Sequence, residues 1–278
     1  MESDAVLSSP GSYQEPDAAG VLPARQTFCT ERKRTEDMAE LAYDLHIHSC
    51  LSPCGDADMT PNNIAGMAMI NGLSIIALTD HNTARNAPAL IRAGEEYGLI
   101  VLPGMELTTQ EEAHVVCLFA DEGDALEFDA YVYERLIKVR NKTKIFGEQI
   151  IMNEKDEPIG QEEYLLINAT SIGFDDVYDA VTSCHGIMIP AHLDKSTTSL
   201  ISNLGYIPPY SRFTCAEVRH LSALHGLLRD HPYLNGCRII SDSDAHYLGD
   251  ISEAVHTLTF SNPHPSKREI LETLITPP

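Results

Sequence analysis

Asp44-Leu45-His46-Ile47-His48-Ser49 sets two histidines two residues apart in a short run that reads as a buried strand. Successive strand side chains alternate faces, so His46 and His48 point the same way. Outward from this run the pattern recurs in Thr79-Asp80-His81-Asn82, Gly104-Met105-Glu106, Glu112-Ala113-His114, Pro190-Ala191-His192 and Asp242-Ser243-Asp244-Ala245-His246. Six of the chain's 12 histidines fall in these places. Nearly every one sits just after, or within, an apolar stretch. Imidazoles and carboxylates gathered at strand ends are the sign of a multinuclear metal site and of metal-assisted hydrolysis.

The surrounding chain supplies the frame. Strands are predicted over 43–48, 73–79, 99–103, 114–120, 186–190, 214–220 and 238–241, with a closing edge strand over 255–260. Thr60, Pro61 and Gly72 bracket a helix over 61–71, and Gly98 closes another over 86–97. A terminal helix starts at Ser266. This alternation predicts an α/β fold with a parallel barrel. Residues 121–179 are too long and polar for one repeating unit. They are read as helices with an inserted hairpin, a cap beside the site. Residues 1–37 lack apolar periodicity and are expected to be a disordered tail, with the domain over 38–278 and Met38 as the expected natural start.

The chain has 278 residues, 43% of them hydrophobic, which suffices for one large core. Its net charge of -22 argues against a general nucleic-acid surface, because phosphate backbones call for a basic footprint. The densest basic run is Glu31-Arg32-Lys33-Arg34, in the tail. The seven cysteines include no CxxC pair, and Cys117 and Cys215 are expected to be buried thiols. No apolar stretch reaches membrane-spanning length, and the expected location is cytoplasmic.

Taken together, Asp44-Leu45-His46-Ile47-His48-Ser49, Thr79-Asp80-His81-Asn82, Gly104-Met105-Glu106, Ala191-His192 and Ser243-Asp244-Ala245-His246 resemble the PHP family, named for polymerase and histidinol phosphatase, over about residues 42–260. The resemblance implies a distorted (β/α)7, TIM-like barrel that hydrolyses phosphoesters with two to three divalent ions (Mn, Zn or Fe) at its mouth. It assigns His46, His48, Glu106 and Asp244 to a first metal. Glu106, as a bridge, holds the second with His114 and His192. Asp56, His81 and His246 hold the third. Asp56 is placed by its distance to Thr60-Pro61; Ala57 departs from the family's glycine there, and Asp58 is the alternative. Asn82 stands where many relatives carry Asp, which alters hydrogen bonding around the metals rather than removing one.

The expected mechanism is in-line attack by a metal-bound hydroxide on phosphorus, with no protein nucleophile. Lys195 is placed to hold a phosphate oxygen, with Arg219 and His220 as further substrate contacts and Arg85 and Arg212 as weaker ones. The expected substrate is a small phosphorylated metabolite or nucleotide, without long nucleic acid and without a membrane. The alternatives are an exonuclease on short oligonucleotides, a C–N-cleaving amidohydrolase, and a non-enzymatic metal-binding regulatory module. No strand lysine suited to carbamylation supports the amidohydrolase. Oligomeric state is left open.

Overall fold

A curled mixed sheet organises residues 38–277, the residues that this computed structural model describes. The expected tail, 1–37, lies outside them. In chain order come β1 (Ala39–Ile47), α1 (Pro61–Ile70), β2 (Ile75–Leu78), α2 (Ala87–Glu96), β3 (Ile100–Thr108) and β4 (His114–Leu118). Next are α3 (Glu122–Arg135), the short α4 (Thr143–Phe146), β5 (Ile150–Met152), β6 (Pro158–Gln161) and α5 (Phe174–Ser183). The remainder is β7 (Ile187–Pro190), α6 (Leu200–Leu204), β8 (Cys215–Glu217), α7 (Leu224–Asp230), β9 (Arg238–Ile240), β10 (Thr257–Phe260) and α8 (Lys267–Ile275).

The sheet order is β10-β1-β2-β3-β4-β7, and β8 and β9 form a separate parallel pair. That pair and the loop after β9 span the gap between β7 and β1. Leu193 N–H donates to the Glu217 carbonyl at 2.9 Å on the β7 side. On the β1 side, His48 N–H donates to the Ala245 carbonyl at 2.9 Å and Ala245 N–H to the His46 carbonyl at 3.2 Å.

One expectation is corrected. The fourth strand is not parallel: β4 runs antiparallel to both β3 and β7. Only residues 109–113 join β3 to β4, and a parallel return needs a crossover of a dozen or more residues. The third strand also continues past Pro103 to Thr108. Gly104 permits this, since a Cβ there would stand 2.7 Å from the Cys117 carbonyl oxygen. The reversal decides the site. It pairs Thr108 with His114, bringing the start of β4 to the end of β3, beside Glu106.

Helix starts draw on distant residues. Thr60 does not cap α1 with its own hydroxyl. It donates to Asp156 Oδ2 at 2.6 Å, and Asp156 Oδ1 accepts from Asn62 N–H, so the β5–β6 turn caps this helix. Asn86, before α2, instead donates through its amide to Ser49 Oγ and the Ile150 carbonyl. α8 carries its own capping box, Ser266 with Glu269. Its Ile270, Leu271 and Leu274 join Leu45, Ile75, Leu102, Val116 and Ile189 in one buried cluster. Cys117 and Cys215 are buried, as expected. Among the described residues no helix is long and apolar enough to cross a membrane.

Candidate metal centre

Glu106, buried on β3, is the hub on which five imidazoles converge. His114 Nδ1 lies 2.8 Å from its Oε1, His192 Nε2 3.0 Å and His46 Nε2 3.3 Å. On the other oxygen, His81 Nδ1 lies at 3.0 Å and His48 Nε2 at 3.4 Å. Asp244 Oδ1 faces His46 and His48 at 3.6 and 3.5 Å. His246 stacks on His48 with ring centroids 4.2 Å apart. Three triads hold their donor atoms within 4.8 Å of one another: His46 with His48 and Asp244, His81 with Glu106 and His114, and His48 with His81 and His246.

The surroundings orient these rings. The Nδ1–H of His46 donates to Glu217 Oε2 at 2.8 Å, leaving Nε2 toward the hub. The Nδ1–H of His48 donates to Ser52 Oγ at 3.1 Å, whose hydroxyl donates to Asp80 Oδ1 at 2.7 Å. Asp80 also accepts from the backbone and hydroxyl of Ser49. His246 Nδ1–H donates to the Asp244 carbonyl at 2.8 Å. Asp44 ties loops rather than facing the hub, accepting from Ser243 N–H and Ser252 N–H. Four of the motif residues take left-handed backbone: Asn82 (φ 52°), Glu112 (φ 60°), His192 (φ 32°) and Asp244 (φ 54°). Such strain persists where surrounding contacts over-determine it.

Electrostatics make the cluster receptive to cations. Burial alone would raise the Glu106 carboxyl, but His114, His46 and His81 hold it well below the usual range. Burial opposes ionisation of Asp244 as well, and His46 and His48 outweigh it, so its carboxyl is lowered. Burial would push His46 down, yet Glu217, Glu106 and Asp244 push it well above the ordinary imidazole value. Burial and neighbouring His81 push His48 well below it. Meanwhile His46 Nε2, His48 Nε2, His81 Nδ1 and Glu106 Oε2 are buried with no hydrogen-bond partner. Buried polar atoms are normally satisfied. Convergent imidazole and carboxylate atoms without partners fit divalent transition metals such as Zn, Mn or Fe.

Eight of the nine expected ligands therefore lie together: His46, His48, His81, Glu106, His114, His192, Asp244 and His246. Asp56 joins only through its backbone, donating its N–H to the His246 carbonyl at 2.9 Å, while its carboxylate accepts from Asp58 N–H. Asp58 is exposed. Lys195 Nζ sits 2.7 Å from Asp244 Oδ2, and Arg219 Nη1 lies 3.6 Å from the same oxygen. His220 is exposed, and its ring has no hydrogen bond or ring contact with the hub residues. Arg85 is engaged elsewhere, 2.7 Å from Glu162. Arg212 pairs with Asp179. Glu217 escaped the sequence reading; its one signal was a carboxylate inside the apolar stretch Cys215-Ala216-Glu217-Val218.

The PHP domain model matches residues 44–212, more than half of the chain. The chain belongs to the PHP domain family. This PHP domain is 34% identical over 87 residues to an uncharacterised protein of Methanocaldococcus jannaschii, a match covering 28% of the chain and 50% of the relative. It is 32% identical over 83 residues to a 5'-3' exoribonuclease of Haemophilus influenzae, covering 29% of each. Matches to these curated relatives thus span half of their length or less. A lesion-specific endonuclease of Pyrococcus furiosus shares the PHP domain's fold at TM-score 0.56 and 17% identity, over 85% of this chain and 56% of that one.

Glu217 is expected to matter through His46. Glu217→Ala should weaken metal binding roughly 10- to 100-fold, the usual cost of losing a carboxylate behind a ligating histidine. Glu217→Gln, whose amide oxygen still accepts from Nδ1–H, should recover part of the loss. Metal titration calorimetry measures both, and equal affinities for the two variants would contradict this role.

Proposed function

We propose that this PHP domain is a metal-dependent phosphoester hydrolase, and that its eight clustered ligands together with Asp56 hold two to three divalent ions. The observation that carries the reading is the Glu106 hub. One buried carboxylate with five imidazoles around it exceeds what a single ion needs. Ions of this kind activate water near neutral pH and neutralise phosphoryl oxygens. The chain supplies the rest. His46, His48 and His246 are held in one tautomer by Glu217, Ser52 and the Asp244 carbonyl. No buried serine, cysteine or lysine nucleophile is required. Lys195 and Arg219, both reaching Asp244 Oδ2, stand ready to pair with an incoming phosphate oxygen.

The substrate end that enters is a nucleotide-sized phosphate ester. The exoribonuclease relative and the endonuclease neighbour are consistent with phosphoester chemistry, and they weigh against taking the whole-chain charge as excluding nucleic acid. Phosphate release from aryl phosphates and mononucleotides, with Mn or Zn supplied and then chelated, tests the activity. Hydrolysis unaffected by chelation, or none with any metal, would sink it. Lys195→Ala is expected to act mainly by raising KM about tenfold or more, the loss of one charge-assisted contact. A fall in kcat at unchanged KM would place Lys195 in the chemical step instead.

A further inference from the structure

Basic charge in this acidic chain is concentrated in one strap. Arg135, Lys138, Arg140, Lys142 and Lys144 are five of the 19 Lys and Arg residues, and residues 135–147 contain no Asp or Glu. Because the cations alternate with other residues, no contiguous basic run reveals them. Residues 137–146 are exposed apart from Asn141, which is half-buried. Lys142 and Lys144 form no ion pair among the described residues. Arg140 makes an exposed pair with Glu163 at 3.1 Å. Lys138 lies over the rings of Tyr133 and Tyr164, at 4.4 and 5.6 Å. The strap ends in exposed Ile145 and Phe146.

Both ends of the strap are anchored beside the Glu106 hub. At its start, Leu136 pairs with Thr170, whose N–H donates to the Thr108 carbonyl, and Thr108 pairs with His114. Further along, Leu165 N–H donates to the Val139 carbonyl and Asn141 N–H to the Glu163 carbonyl. The partner segment is itself tied to the site, since Asn82, next to His81, donates its amide to the Leu166 and Asn168 carbonyls. At the far end a Cβ at Gly147 would stand 3.7 Å from the Pro53 carbonyl oxygen, and Ile150 N–H donates to the Cys50 carbonyl, two residues beyond His48. The strap therefore runs from the strand end that carries His114 to the loop that follows His48.

We infer that this strap is a track for the phosphodiester backbone of a single-stranded polynucleotide whose end is fed to the Glu106 hub. The inference rests on the phosphoester reading above and sharpens its substrate class. Alternating cations with exposed Phe146 among them suit a strand, because phosphates take the charge and a base can stack on the free ring, while Tyr133 and Tyr164 hold Lys138 beside the track. A free mononucleotide would use Lys195 and Arg219 and leave the strap idle.

The test is fluorescence anisotropy of metal-stripped protein with 20-nucleotide single-stranded RNA and, separately, DNA, between 50 and 200 mM salt. Each lost phosphate contact should lower the slope of log Kd against log salt by about 0.7. The K138Q/R140Q/K142Q/K144Q variant should therefore lose about 3 from the slope and bind at least tenfold more weakly. The single variants Lys142→Gln and Lys144→Gln, which disturb no ion pair, should each lose about 0.7 and keep the inference testable if the quadruple variant unfolds. With metal restored, the ratio of strand turnover to aryl phosphate turnover should fall at least tenfold in the variant. Tighter binding by RNA or by DNA tells which strand is used. Equal strand binding by wild type and variants, or binding of neither strand, would overturn the track. Loss of all phosphoester turnover in wild type, with the binding slopes as expected, would overturn the hydrolase reading alone.

Discussion

Glu106→Gln is expected to reduce phosphoester hydrolysis at least about 1000-fold, a loss of roughly 4 kcal/mol in transition-state stabilisation. The change keeps volume and shape but removes the charge facing five imidazoles. The amide keeps one oxygen and turns the other into an NH2 donor, so either His114, His192 and His46 on one side or His81 and His48 on the other lose their acceptor oxygen. The chain should stay folded, because the hub lies where strand ends meet and not in the apolar clusters. Elemental analysis of the variant should show fewer than the two to three ions expected of wild type. Activity above about a tenth of wild type, or unchanged metal content, would show that Glu106 does not bridge.

Removing the metals is expected to lower Tm by about 10–30 °C. Each ion present at 100 times its Kd adds about 2.7 kcal/mol, and a domain of this size shifts by about 2–4 °C per kcal/mol. The effect should be reversible on adding Mn or Zn. Metal affinity should also climb with pH. In the metal-free centre His46 is pushed well above 6.5 by Glu217, Glu106 and Asp244, against the effect of burial, so it holds a proton at neutrality that an ion must displace. Affinity therefore rises with pH through neutrality until the raised His46 value is passed. His48 and His81, pushed down mainly by burial, are already neutral there and release none. Calorimetry in buffers of different ionisation enthalpy reads the released proton directly. A chelator-induced change under about 3 °C would contradict the expected metal load.

The legible part of the site is the part carried by local pattern. His46 and His48 announce themselves by spacing, and Glu106 and His114 by flanking apolar runs. What local pattern could not show is which way strands run. His114 opens its strand, and in an all-parallel barrel it would sit at the wrong end; the short 109–113 connection reverses β4 and brings it to the mouth. Glu217 and His220 share one apolar stretch, and the local pattern favours the later residue, at the expected strand end. The strand stops at Glu217 because the N–H groups of Arg219 and His220 donate to the Asp194 carboxylate instead of continuing a ladder. The partnership of Glu217 with His46 spans 171 residues and leaves no trace in either neighbourhood. The basic strap was hidden by an average, since a chain of net charge -22 conceals a stretch of thirteen residues without an acid.

The β3–β4 hairpin also orders the assembly of the centre in time. Glu106 and His114 meet within a local turn, an event of about 1–10 μs. His46 must instead find Glu217, and the backbone of His48 must find Ala245, across most of the chain, and closing such loops is slower. During synthesis the hairpin emerges well before the Asp242–His246 segment exists. A nascent chain thus owns half a cage, with Glu106 and His114 but without Asp244 and His246. At the proposed centre, firm metal uptake would then mark the moment at which the last strands have docked, and an ion would serve as a seal on a finished fold.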